Sequence, residues 1–167
     1  MQSPRRPSLT VAAVSIALLV GCAPRDRRPG LWLSGEVVRE QVDDWSFTDA
    51  VPEIFVETRT WYGIPHSVTT VCAADGGALY VPSIYFDAGE FPEARFWNRN
   101  VVRDPRVRLQ IGERLYERRA VVVRDDAERA AAIAAFARKY PFWRELGEKP
   151  EAERPRVFFF RMDPREG

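Results

Sequence analysis

Between Glu53 and Phe86 the chain carries one strand signal after another. "EIFVETRTW" alternates, with Ile54, Val56 and Thr58 falling opposite Phe55, Glu57 and Arg59, the period-two pattern of a half-buried strand. Gly63-Ile64-Pro65 supplies a turn, and "HSVTTVCAA" reads as a second, β-branched strand. Asp75-Gly76-Gly77 is a strong hairpin signal, because glycine accepts the positive φ that a tight turn demands. "ALYVPSIYF" returns as a third strand, with Pro82 marking an edge or a bulge, since proline brings no N–H to a ladder. Three strands within about thirty residues, joined by tight turns, predict an antiparallel meander.

Downstream the pattern changes twice. A loop reaches Pro92, and Glu93 to Asn100 has the makings of a short helix that Asp104-Pro105 ends. Val107, Leu109 and Ile111 then alternate with Arg106, Arg108 and Gln110, whose arginines are expected to face water. Gly112-Glu113-Arg114 turns the chain into a fifth strand, Leu115 to Val123. Asp125 with Glu128 resembles a capping box, and the helix after it sets Ile133, Phe136, Ala137 and Tyr140 on one side before Pro141 stops it. A charged loop leads to a sixth strand, Arg156 to Met162. The expected class is mainly β (α+β): six antiparallel strands, a short helix after strand three and a longer helix before the last strand. Upstream, residues 31–52 are ambiguous; they have room for one short helix, with Trp45 and Phe47 covering one end of a barrel.

The amino terminus reads as an export signal. Arg5 and Arg6 precede an apolar run from Val11 to Val20, too short to span a bilayer as a helix but suited to a signal-peptide core. The run ends in Leu19-Val20-Gly21-Cys22, which resembles a bacterial lipobox and implies lipidation at Cys22. Three segments follow: a lipoprotein signal peptide over 1–21, a tether and N-terminal extension over 22–48, and one domain over 49–165. Residues 23–30, "APRDRRPG", are polar and rich in Pro and Gly, as a tether should be. The implied location is the cell envelope, lipid-anchored on the outer side of the inner membrane or in the outer membrane. Ala23, where an inner-membrane retention signal would carry Asp, favours the latter if the organism has an outer membrane.

Charge and residue counts narrow the chemistry. With 25 Lys and Arg against 24 Asp and Glu, no broad basic field calls for nucleic acid. His66 is the single histidine, so a histidine-dependent metal cluster within one chain is ruled out, and no CxxC or HExxH spacing occurs. Cys72 sits in an apolar strand pattern and reads as a buried small residue. Arg95 and Arg99, one helical turn apart, can present two guanidinium groups to one anion; the alternative is a solvated face paired with Glu90 or Glu93. His66 is either a phosphate or ring-edge contact or a strand-end residue bonded to backbone, and Trp97 either a platform for a ring or a core residue.

Trp97-Asn98, the Asp104-Pro105 turn, the alternating Val107–Ile111 strand, its hairpin partner Leu115–Val123 and the helix opened by Asp125 follow one another in a familiar order. Over residues 49–165 the chain resembles the flavin-binding split barrel superfamily, which holds pyridoxamine 5'-phosphate oxidase-like and deazaflavin-dependent nitroreductase-like proteins. That resemblance implies a six-stranded antiparallel split β-barrel that forms a homodimer, with FMN or a deazaflavin in the groove between protomers. Carried over by position, the cofactor contacts are His66 and Thr69 on the second strand, Ser83 on the third, and Arg95, Trp97 and Arg99 at the short helix. Haem, which some split barrels bind, would need His66 as axial ligand. The chain departs from the pattern where His66 replaces the usual Arg or Lys, where no Ser-x-Lys pair follows Ser83, and where Asp104 replaces Asn. Two functions fit: an oxidoreductase acting on a small molecule through its cofactor, or a cofactor-free, lipid-anchored binding module on the same fold. The resemblance puts the oxidoreductase first; export of an unfolded chain would leave a cytoplasmic cofactor behind, which is the argument for the second.

Overall fold

The alternation after Glu53 becomes strand β2 (Ile54–Arg59), whose inward residues Ile54, Val56 and Thr58 are fully buried. The computed structural model describes residues 30–165; the expected signal segment 1–21 and Cys22 lie outside the described residues. Strand β1 (Glu36–Val38) precedes β2, and β3 (Pro65–Thr70), β4 (Ala73–Asp75) and β5 (Ala78–Tyr85) follow it. Helix α1 (Phe96–Arg103), strands β6 (Arg106–Ile111) and β7 (Arg114–Val122), helices α2 (Asp126–Lys139) and α3 (Pro141–Glu148), and strand β8 (Arg156–Pro164) complete the order.

The mainly β, α+β architecture is the expected one, with eight strands in place of six. The strand read over residues 66–74 is in fact two, β3 and β4, separated by Val71 and Cys72. β3 pairs antiparallel with β2, whereas β4 pairs antiparallel with β5 across the Gly76-Gly77 turn, where both φ angles are positive. The sheet order is β3-β2-β6-β7-β8-β5-β4, so the expected three-strand meander ends at the break and β5 pairs instead with β8. β3 and β4 are therefore the two ends of one sheet and yet only two residues apart in the chain. The sheet must curl until its edges meet at Val71-Cys72, and with no ladder between those edges the barrel stays split there. β1 lies parallel to β7, the one parallel pairing among the described strands.

Two apolar clusters result because β5 and β8 are covered on both faces. Val81, Phe160 and Met162 point into the barrel with Ile54, Val56, Leu109 and Trp45. Tyr80 and Phe159 point outward under α2 and α3, against Phe136 and Trp143. Phe159 is thus covered by the chain's own helices, and Phe158 stacks on Phe91 at 4.2 Å. Among the described residues 30–52 there is no α-helix: they form β1 and a 3-10 turn at Ser46–Ala50, and Trp45 enters the core edge-on to Tyr116 at 5.3 Å while Phe47 stays exposed. In α2 the buried residues are Ala132, Ala135 and Phe136; Ile133, expected inside, is exposed. Pro141 does end α2, and it also opens α3, since proline at the first helical position gives up an N–H that has no helical partner there anyway.

Candidate functional site

Helix α1 is eight residues long and begins where Arg95, in extended backbone, turns out of the loop after β5. Its residues serve three surroundings. Trp97 and Val101 pack toward the barrel interior, Val101 buried and Trp97 half-buried with its ring 5.1 Å from Phe160. Asn98 points at β5: fully buried, it donates from Nδ2 to the Ser83 hydroxyl at 2.7 Å and to the Tyr85 hydroxyl at 2.6 Å. Phe96, Arg99 and Asn100 turn toward β2 and β3, the grouping that i, i+3 and i+4 spacing produces on a helix.

The third surrounding is the candidate site. His66, half-buried on β3, meets the Phe96 ring edge-on at 5.0 Å, and the Arg99 guanidinium lies over the same ring at 5.2 Å. Thr58, directly across the ladder from His66, fixes the floor: it accepts from Asn100 Nδ2 at 3.0 Å and donates to the His66 carbonyl at 3.1 Å. The imidazole Nδ1 is buried and without a hydrogen-bond partner. Burial holds the His66 pKa below its ordinary value, because desolvation penalises the charged ring, so the imidazole is neutral at pH 7. The result is a neutral ring with one unsatisfied polar atom beside an exposed arginine, a pair able to take an anionic or hydrogen-bonding group of a ligand.

The six residues expected around a cofactor do not form one cluster. His66 and Arg99 converge on Phe96. Thr69 is exposed and three positions along the strand from His66, hence on the opposite face. Ser83 is buried and engaged by Asn98. Arg95 donates to the Ile84 carbonyl at 3.1 Å and lies 5.5 Å from the Tyr85 ring centre, so Arg95 and Arg99 address different parts of the molecule. The outward arginines also divide: Arg106 is exposed on Asp104, while Arg108, expected to face water, is half-buried and bridges the buried Glu57 at 3.3 Å. Phe96 and Asn100 carry no signal of their own in the sequence, and Asn98 stands out there only as half of the Trp97-Asn98 pair. Their helical spacing was the available signal, but which face met which strand depended on the sheet order.

A family model described as F420H(2)-dependent quinone reductase matches residues 56–153. No curated protein matches the sequence. Among solved structures, the chain is similar to a conserved hypothetical protein from Mycobacterium tuberculosis (TM-score 0.53, 16% identity, 78% of this chain and 84% of that one). It is also similar to HutZ, the heme storage protein from Vibrio cholerae (TM-score 0.53, 14% identity, 73% and 87%). A third likeness is to a structure described as a domain-swapped dimer (TM-score 0.52, 16% identity, 92% and 98%). At such identities the three likenesses establish the fold alone.

Proposed function

Because the chain belongs to the F420H(2)-dependent quinone reductase family, we propose that it is a deazaflavin- or FMN-binding oxidoreductase that reduces a small, quinone-like acceptor. The family match carries the reading: it runs from β2 past α3 and so takes in the whole His66–Phe96–Arg99 cluster on one segment. The residues present suit such a cofactor, since the unpartnered Nδ1 of His66 and the exposed Arg99 guanidinium offer polar and charged contacts to a phosphate-bearing tail. When bound, the cofactor supplies hydride transfer, and the protein's task is to bind it, orient it and keep water away. His66 and Arg99 would hold the anionic part, Thr58 and Asn100 keep His66 in register, and Phe96 walls the site. No side chain need be a general acid for that division of labour. The reading extends to a homodimer, as in the resembling superfamily, and to a chain lipidated at Cys22 and held in the cell envelope.

A cofactor-free binding module remains the second reading. One observation favours it: Ser83 and Arg95 are engaged within the chain. Titrating the purified protein with F420, FMN and haem, followed by absorbance, separates the two. Saturable binding of F420 or FMN is the expected result; failure of all three would sink the enzyme. Arg99→Ala should weaken cofactor binding about 10- to 100-fold, the loss of one charge-assisted contact. Arg95→Ala should change it little.

A further inference from the structure

The turn joining β2 to β3 holds its side chains out into solvent. Trp61 is 77% exposed, Tyr62 50% and Ile64 49%, making Trp61 the most exposed large apolar side chain among the described residues. Gly63, with φ of 84°, makes the turn possible, and the Trp61 and Tyr62 rings pack edge to face on each other at 5.2 Å. Nothing in turn geometry asks for three large apolar residues here, where Gly, Asn and Asp serve better. Basic groups surround them. Arg59 ends β2 beside the tip, and Arg103, at the end of α1, donates to the Arg59 carbonyl. The acids that line the same cleft as Arg59 and Trp61, namely Asp104, Glu57 and Glu117, are paired with Arg106, Arg108 and Arg165.

The tether arrives at the same end. Gly30, the first described residue, exchanges two backbone hydrogen bonds with Ser67 on β3, at 3.2 and 2.9 Å. Ser67 is three residues from Ile64, about 10 Å along a strand. Between the lipobox cysteine and Gly30 the chain has only residues 23–29, so the two can stand at most about 28 Å apart when that stretch is fully extended. A lipid on Cys22 would therefore keep this end of the domain close to the bilayer.

We propose that the β2–β3 hairpin tip is a second membrane contact: Trp61, Tyr62 and Ile64 enter the interfacial layer while Arg59 and Arg103 meet anionic headgroups. This rests on the lipidation of Cys22 put forward above. Aromatic rings favour the headgroup level, arginine keeps its charge in water while its stem lies on apolar surface, and basic groups are drawn to anionic lipid. One lipid anchor fixes distance but not orientation; a second contact fixes both. His66 lies two residues past Ile64, so docking turns the His66–Phe96–Arg99 cluster toward the leaflet, where a quinone-like acceptor dissolves.

The test uses the full lipidated protein reconstituted into vesicles of phosphatidylcholine and phosphatidylglycerol, with bromine on the acyl chains close to the glycerol. Bromolipid should quench tryptophan emission in the wild type, and Trp61→Phe should lose most of that quenching, with far-UV circular dichroism and the midpoint of urea unfolding unchanged. Removing phosphatidylglycerol should reduce it. Equal quenching in Trp61→Phe and wild type overturns the proposal. So does shielding of Trp61 from aqueous acrylamide in the mature chain from residue 23, held in buffer without lipid or detergent, which would mean that a second copy covers the tip. The mass of the mature amino-terminal cysteine distinguishes the two layers. An unacylated Cys22 removes the anchor and the proposal together, whereas an acylated protein without Trp61 quenching removes the tip alone.

Discussion

Asn98 is the residue on which the α1–β5 contact depends. Its amide is fully buried and serves two hydroxyls, Ser83 and Tyr85, that would otherwise be buried without this donor. Asn98→Ala should lower the unfolding free energy by about 2–3 kcal/mol, because it opens space and orphans two polar groups, whereas Ser83→Ala should cost about 1 kcal/mol. Urea denaturation measures both; a Ser83→Ala protein of unchanged stability that no longer binds cofactor would return Ser83 to the site. His66 makes a separate prediction. Its pKa is lowered by burial from the ordinary 6.5, so just below that pH the unfolded chain binds a proton that the folded chain does not. Stability should therefore fall as pH drops through about 6.5 toward the folded value, and the difference curve against His66→Gln should isolate the effect. An anion seated beside Nδ1 works the other way, raising the pKa and taking up a proton on binding. Calorimetry in buffers of different ionisation enthalpy reads that uptake directly.

At the scale of elements, α2 shows how a local signal can be right and yet serve another purpose. Asp125 caps the helix as its sequence suggests, accepting from the Glu128 amide at 2.8 Å. The return half of the box is absent, because the Glu128 carboxylate goes to Arg161 at 2.8 Å and the Tyr80 hydroxyl at 3.3 Å, tying α2 to β8 and β5. Asp125→Ala should cost about 1 kcal/mol, the usual worth of an N-cap, with no effect on ligand binding; a drop of several kcal/mol would mean that the cap also positions the sheet. The strands of alternating pattern, β2, β6 and β7, were legible because one buried face imposes period two. Helix α3 was not: Pro141 signals both an end and a beginning, and only the apolar surface of Phe136 and Phe159, brought together by folding, tells Trp143 where to go. The candidate site was legible in the same measure. His66 and Arg99 stood out by residue type, but Ser83 and Arg95 carry the same chemistry and were claimed by neighbours that sequence spacing does not reveal.

For the molecule as a whole, the decisive event is the break at Val71-Cys72, which sends one continuous β-branched run to both ends of the sheet. Nothing in "HSVTTVCAA" marks that break, since the apolar pattern runs through it. What holds it is the end of α2. Lys139 donates from Nζ to the carbonyls of Cys72 at 2.8 Å and Thr48 at 2.6 Å, and the Tyr140 hydroxyl donates to Cys72 at 3.1 Å and Pro52 at 3.2 Å. Burial lowers the Lys139 pKa and pushes that of Tyr140 up to about 12, so the tyrosine stays a neutral donor across the physiological range. The Cys72 carbonyl thus has two donors where a ladder would give it one. Lys139→Met should destabilise by about 2–3 kcal/mol and Tyr140→Phe by about 1 kcal/mol. Because either donor alone still satisfies the carbonyl, the double variant should cost more than the two losses together, by more than the ~0.5 kcal/mol expected of independent sites. Denaturant titration of the four proteins closes the cycle. Strict additivity would mean that the two donors act separately, and two single variants of unchanged stability would mean that neither holds the seam.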